Sequence, residues 1–269
     1  MDVKKAIKEA TRGSVLFRPM RDTYQWTFNR SYWTHRKQME SFYSQFISSN
    51  DLVFDIGANI GEYTEVFVKL GARVVAVEPN EKLLPLLKTI RPFDRVIVES
   101  VALGSVDGVA DLHMCESDGL STLSNAWLNV AKNSERFQDV RWNRKVQVPV
   151  STLDALIQRY GMPSFIKIDV EGYENQVLAG LSHAPRFLSF EINTEFVETA
   201  VACIGQGCFP ATSEFNITFN SRMKLANDRW LTATEMVQFL EGAELRQSKT
   251  YGDILVRSCG QTFNSESSH

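Results

Sequence analysis

Leu52-Val53-Phe54-Asp55-Ile56-Gly57-Ala58-Asn59-Ile60-Gly61 is the stretch on which the reading of this chain turns. An apolar run ends in Asp55, turns through two glycines and enters a helical pattern near Glu62. A second apolar run, Arg73-Val74-Val75-Ala76-Val77, then delivers Glu78. Strand, glycine turn, helix and acid-tipped strand are the parts from which a doubly wound α/β sheet builds a nucleoside site. The glycines let backbone approach a ligand, and the acid accepts from ribose hydroxyls.

Outward from that stretch the pattern alternates. Strands are expected at 51–55, 73–78, 95–99, 165–169 and 187–191, with helices near 62–70, 80–89 and 173–180. Such alternation makes βαβ units and a mostly parallel sheet. Between the third and fourth strands lies an insertion: a strand at Val109–Cys115, a polar and helical 120–145, and a strand at Lys145–Val150. Two tail strands, Glu214–Asn220 and Asp253–Arg257, flank a helix capped by Thr232 or Thr234. Residues 1–50 interleave aromatics with charges and are read as a helical extension that packs on the sheet or lids the site. The main domain is then 51–258, followed by a polar tail, 259–269.

Composition narrows the class. A chain of 269 residues with 43% apolar content can bury a sizeable core. A net charge of −3 argues against a general affinity for nucleic acid. No apolar run reaches the roughly 20 residues that span a bilayer, and the N-terminus lacks a secretory apolar core. Cysteines at 115, 203, 208 and 259 have no metal-site spacing and read as free thiols of a cytoplasmic protein. Arg136, Arg141, Arg144 and Lys145 read as a solvated helix face. Trp26, Trp33 and Trp127 are taken as surface aromatics that line a pocket, meet a second copy or pack.

The glycine turn fits neither common phosphate loop. A P-loop needs Gly-Lys-Ser/Thr, and a dinucleotide fingerprint wants glycines where Asn59 and Glu62 stand. A ligand with an amino-acid head fits better, since backbone amides can take its carboxylate while nearby acids take its ammonium; Asp55, Gly57, Asn59 and Gly61 are the turn's candidates for binding it. S-adenosylmethionine has that head, a ribose and an adenine. Glu78 follows Gly57 at close to the spacing of roughly 20 residues expected of a ribose-binding acid. In Phe165-Ile166-Lys167-Ile168-Asp169-Val170-Glu171-Gly172, strand alternation puts Lys167, Asp169 and Glu171 on one face. A lysine in a doubly covered strand must be paired, so Lys167 is expected to meet a carboxylate. Asp55, Glu78, Asp169 and Glu191 are expected to converge at the carboxyl ends of the strands.

These features, with Ser151-Thr152-Leu153-Asp154, Tyr173-Glu174 and Gly252-Asp253-Ile254, resemble the FkbM family of S-adenosylmethionine-dependent methyltransferases over roughly residues 50–257. The resemblance implies a Rossmann-like class I fold: α/β, a mostly parallel seven-stranded sheet with helices on both faces. It implies methyl transfer to a hydroxyl of a small carbohydrate-like or natural-product acceptor. Ala102 and Leu103 would line the adenine pocket, and Ser121 would stand near donor or acceptor, or belong to a plain turn. Asp169, Lys167 and Glu171 are the candidates for base or acceptor positioning, with Asp169 alternatively holding the donor's ammonium. No motif demands a metal, although Asp169 and Glu191 could hold a divalent ion. A homo-oligomer is left open. The rival readings are an NAD-linked oxidoreductase and a methyltransferase-like scaffold without catalysis.

Overall fold

The computed structural model describes residues 18, 29–115, 120–133, 140–243, 245, 248 and 250–258. Its elements run α1 (Arg30–Tyr43), β1 (Leu52–Ile56), α2 (Glu62–Lys69), β2 (Arg73–Val77), α3 (Leu84–Leu87), β3 (Val96–Glu99), β4 (Ala102–Leu103) and β5 (Gly108–Cys115). They continue with α4 (Asn125–Asn133), β6 (Trp142–Ser151), α5 (Leu153–Tyr160), β7 (Phe165–Ile168), α6 (Glu174–Leu178) and β8 (Phe187–Asn193). The chain closes with α7 (Val197–Ile204), β9 (Glu214–Phe219), α8 (Ala233–Glu241) and β10 (Tyr251–Arg257). A seven-stranded sheet in the order β3-β2-β1-β7-β8-β10-β9 forms the centre. β1, β2, β3, β7 and β8 pair in parallel, and β10 runs antiparallel between β8 and β9.

Period-two alternation divides each central strand between two apolar layers. Phe54, Ile56, Ile166 and Ile168 pack with Leu153 and Leu156 of α5 and with Met236 and Leu240 of α8. Val53 and Phe165 face the other way, onto Met39, Phe42 and Tyr43 of α1 and onto Val66 and Phe67 of α2. The 30–43 helix is therefore part of the core rather than a lid. Asn29 caps it by accepting from the Tyr32 amide. The aromatic residues Tyr24, Trp26 and Phe28 lie outside the described residues.

Several boundaries differ from the sequence reading. The helix expected near 80–89 contracts to Leu84–Leu87, and the one near 173–180 to Glu174–Leu178. Among the described residues of the polar stretch 120–145, an α-helix covers Asn125–Asn133, and a strand already begins at Trp142. That strand is the centre of a small sheet, β4-β6-β5, with Arg144 and Lys145 exposed on it. The basic cluster is thus a strand surface and not a helix face, while Arg136 lies outside the described residues. Helix periodicity fails here because Val146, Val148 and Val150 alternate with polar residues and pair against β5. Thr232, not Thr234, caps α8, through a reciprocal box with Glu235. Among the described residues no helix is long and apolar enough to cross a membrane.

Candidate functional site

The glycine turn leaves β1 and enters α2. Gly57 has φ +80°, and a Cβ built there would sit 1.8 Å from the Asp169 carbonyl oxygen, so only glycine lets β1 and β7 end this close together. Gly61 (φ +85°) caps α2, and a Cβ there would meet Ile90, Leu87 and the Arg18 guanidinium. The turn's amides are largely spent on the turn itself. Gly57 and Ala58 donate to the Val77 carbonyl at 2.9 and 3.0 Å, Gly61 to the Ala58 carbonyl at 2.8 Å, and Asn59 to the Glu78 carboxylate at 2.8 Å.

Glu78 is held from both sides. Its Oε2 accepts from the Asn59 amide and its Oε1 from the Asn80 amide, each at 2.8 Å. A carboxylate has about four acceptor sites, more than these two amides use. Glu78 lines a cleft of about 570 Å³ with Gly57, Asn59, Pro79, Asp169, Val170, Glu171 and Tyr173. Opposite stand Val101, Ala102, Leu103, Leu112, Ser121, Thr122 and Leu123, contributed by β4, β5 and the loop after β5. The insertion is therefore one wall of the cleft. Thr122 ties that wall to the sheet by donating to the Glu171 carbonyl at 2.7 Å.

This donor set fits S-adenosylmethionine. Glu78 can accept from a ribose diol, Val101, Ala102, Leu103 and Leu112 can cover an adenine, and Asp169 with Glu171 can receive an ammonium.

Beneath the cleft lies a buried polar row on the α1–α2 face. Lys167 is 0% exposed. Its ammonium donates to Asp169 Oδ2 at 2.8 Å, lies 3.5 Å from Asp253 Oδ1 and stands 4.2 Å from the centre of the Tyr63 ring. Burial alone pulls a lysine down, but Asp169 and Asp253 outweigh it and hold Lys167 well above its ordinary value. Asp55, paired in register with Lys167, is 2% exposed and accepts from the Thr64 hydroxyl at 2.5 Å. Burial pushes its carboxyl up to about 6, although Thr64 and Lys167 oppose the shift.

A second group of carboxylates completes the rim. The strand ends at Ile168, so the alternation expected through 171 stops there, and Glu171 takes φ +55° in the turn that follows. Glu174 accepts from the Val170 and Gly172 amides at 3.0 and 3.2 Å, and burial still raises it to about 7. Glu191, on β8, is raised well above the carboxylate range by burial and then by Asp169, Glu171, Glu174 and Asp253. Oxygens of Asp169, Glu171 and Glu191 lie within 4.8 Å of one another.

Of the residues expected at the site, Gly57, Asn59, Glu78, Ala102, Leu103, Ser121, Asp169 and Glu171 line one cleft. Asp55, Gly61 and Lys167 stand outside its lining, sealed behind it. Lys167 therefore touches Asp169 and not the cleft. Sequence reasoning left Asp253, Tyr63, Thr122, Tyr173 and Glu174 without roles. The demand of a buried lysine for a second partner was the signal that could have found Asp253. Trp127, expected on the surface, is 4% exposed and packs edge-on against Trp142.

A family model described as "Methyltransferase FkbM domain" matches residues 55–243. Ribosomal RNA small subunit methyltransferase A of Staphylococcus epidermidis is 29% identical over 76 residues. The match covers 27% of this chain and 26% of that protein, so this chain spans about a quarter of the length of the curated relatives it matches. A solved TehB-like SAM-dependent methyltransferase from Corynebacterium glutamicum superposes over 90% of this chain and 96% of that one, at 11% identity and TM-score 0.46. A precorrin-6y C5,15-methyltransferase from Geobacter metallireducens covers 83% and 87%, at 9% identity and TM-score 0.39.

Proposed function

Because the chain belongs to the FkbM methyltransferase family, whose methyl donor is S-adenosylmethionine, we propose that it methylates a hydroxyl of a small carbohydrate-like or natural-product acceptor. The observation that carries the reading is the convergence on one cleft of Glu78 at one side and Asp169 with Glu171 at the other. The bound donor supplies an electrophilic methyl on a sulfonium, whose carbon–sulfur electron pair leaves with the sulfur.

The protein's part is placement and proton transfer. Glu78, fixed by two amides, receives the ribose hydroxyls without having to reorganise. Asp169 has a side chain 29% exposed, so it reaches the cleft while Lys167 holds its Oδ2 from below. Asp169 takes the acceptor hydroxyl's proton as that oxygen bonds to the methyl carbon. Glu171 positions the acceptor beside it. Lys167, with Asp253 behind it, is a positioning residue: it fixes the orientation of Asp169 without touching reactants. Alignment of this kind supplies several kcal/mol, and a placed base about 10²–10⁴-fold.

Calorimetric titration with S-adenosylhomocysteine and NAD in parallel tests the reading. Micromolar binding of the first alone supports it, and NAD binding instead would overturn it. The acidic balance of the chain supports a small-molecule acceptor over a nucleic acid, and a cytoplasmic setting is part of the same reading.

A further inference from the structure

A second cavity opens beside the first and is lined by Ser124, Trp127, Gly172, Glu174, Glu191 and Phe196 among others. The wall between the two is the turn that follows β7. Glu171 and Gly172 both take positive φ, +55° and +85°, and the reversal sorts neighbouring residues to opposite sides. Asp169, Val170, Glu171 and Tyr173 line the first cleft, whereas Gly172 and Glu174 line the second. The two spaces meet at Asp169, Glu171 and Glu191, whose oxygens lie within 4.8 Å of one another. A molecule in the second cavity is thus brought to the carboxylates that face the first.

Charge and shape then specify the occupant. Glu174 is 3% exposed and two peptide amides donate to its Oε1. Among the described residues no side chain donates a hydrogen bond to, or forms an ion pair with, the Glu191 carboxyl, whose backbone pairs with Asp253 of β10. The nearest cation, Lys167, is already shared by Asp169 and Asp253. Burial and mutual repulsion favour the protonated forms of these two acids, and an ammonium entering the cavity beside them would supply the positive charge that the protein does not place there. Trp127 closes the cavity from above: a Cβ on Gly172 would strike the indole at 2.4 Å, so the ring lies directly on the turn. Phe196 supplies a second aromatic wall. Aromatic faces with carboxylates suit an organic ammonium, whereas a hydrated divalent ion prefers oxygen ligands throughout its shell.

We infer that this second cavity is the acceptor site, and that it takes a hydroxyl compound carrying an ammonium group close to the hydroxyl that is methylated. The inference rests on the methyltransferase reading and names the acceptor class for it. Glu191 and Glu174 hold the ammonium, Trp127 and Phe196 cover the carbon skeleton, and the neighbouring hydroxyl points through the gap at Asp169.

The test pairs amino alcohols with their N-acetyl forms: glucosamine, 2-deoxystreptamine and serinol, each free and acetylated. Radiolabelled methyl transfer from S-adenosylmethionine is followed with wild type, Glu191→Gln and Phe196→Leu. S-adenosylhomocysteine binding is measured on all three as a check on folding and on the donor site. At least one free amine is expected to be methylated with kcat/KM ten-fold or more above its acetylated partner. Glu191→Gln erases that preference through KM, Phe196→Leu raises KM for both members, and S-adenosylhomocysteine affinity stays within two-fold. Equal or better use of the acetylated forms, or a preference untouched by Glu191→Gln, overturns the inference. So does transfer that EDTA abolishes and magnesium restores, or no transfer to any pair while S-adenosylhomocysteine binds. Failure of wild type to bind S-adenosylhomocysteine removes the methyltransferase reading itself, and this inference with it.

Discussion

Asp55 and Lys167 stand side by side, in register on β1 and β7 and on the same face of the sheet, yet each takes its close partner elsewhere. Asp55 is bonded by Thr64 at the start of α2, and Lys167 reaches toward Asp169 and Asp253. The pair divides the work of the buried row: one fastens the glycine turn to its strand, the other carries charge to the rim.

Removing the lysine should therefore expose how much the rim depends on it. Lys167→Met leaves Asp169 and Asp253 without their shared cation, and loss of one partner from a buried ion pair costs about 3–5 kcal/mol. The double variant Lys167→Met/Asp253→Asn recovers part of that loss. Urea unfolding of both proteins measures it, and equal stabilities would contradict the shared-cation arrangement.

Glu78 is the cleanest probe of the donor cleft. Glu78→Gln keeps one oxygen for the Asn59 or Asn80 amide but loses the charged acceptor. Since hydrogen bonds to charged groups contribute about 1.5–3 kcal/mol, S-adenosylhomocysteine affinity should fall by about ten-fold or more. Titration calorimetry reads this directly, and an unchanged Kd would remove Glu78 from the site.

Gly57→Ala is expected to act on the fold as well as on binding. The added methyl meets the Asp169 carbonyl at 1.8 Å and must adopt φ +80°. Overpacking and backbone strain together cost about 3 kcal/mol or more. Thermal unfolding with and without S-adenosylhomocysteine should show a lower midpoint and no ligand-induced rise.

Stability should fall as pH rises through the mildly acidic range. Burial holds the Glu174 carboxyl at about 7 against 4.5 for the free side chain, and Asp55 at about 6 against 3.8. Across those intervals the folded chain binds more protons than the unfolded one, so their contribution is complete below the lower value and lost as pH passes the upper. For Glu174 the change is about 3 kcal/mol between pH 4.5 and 7. Glu174→Gln keeps an acceptor for the Val170 and Gly172 amides and should flatten the slope. Denaturation midpoints at pH 5 and pH 8 decide it.

The sheet was legible because its central strands are continuous apolar runs, and residues such as Val53 and Phe54 serve two layers at once. Glu78 and Asp169 were legible because acids at strand ends have few structural reasons to be there. The depth of Asp55 and Lys167 was not legible, because a polar residue near a strand end reads the same whether it faces the cleft or lies beneath it. The cleft's outer wall escaped notice because Leu112, Thr122 and Leu123 come from an insertion whose folding back depends on long-range pairing of β5 with β6. The second cavity had no local signature, since it joins α4, the turn after β7 and the start of α7.

The place of β10 sets an order on assembly. It follows β9 in the sequence, yet it lies between β8 and β9 and supplies the ladder partner of β9. A chain emerging from the ribosome has every lining residue of the donor cleft long before it has Asp253. Until residues 251–257 appear, β9 has no strand to join and Lys167 lacks half of its counter-charge. Closure of the sheet and settling of the rim are thus one event, and a ligand offered to a nascent chain halted before it should find no competent site.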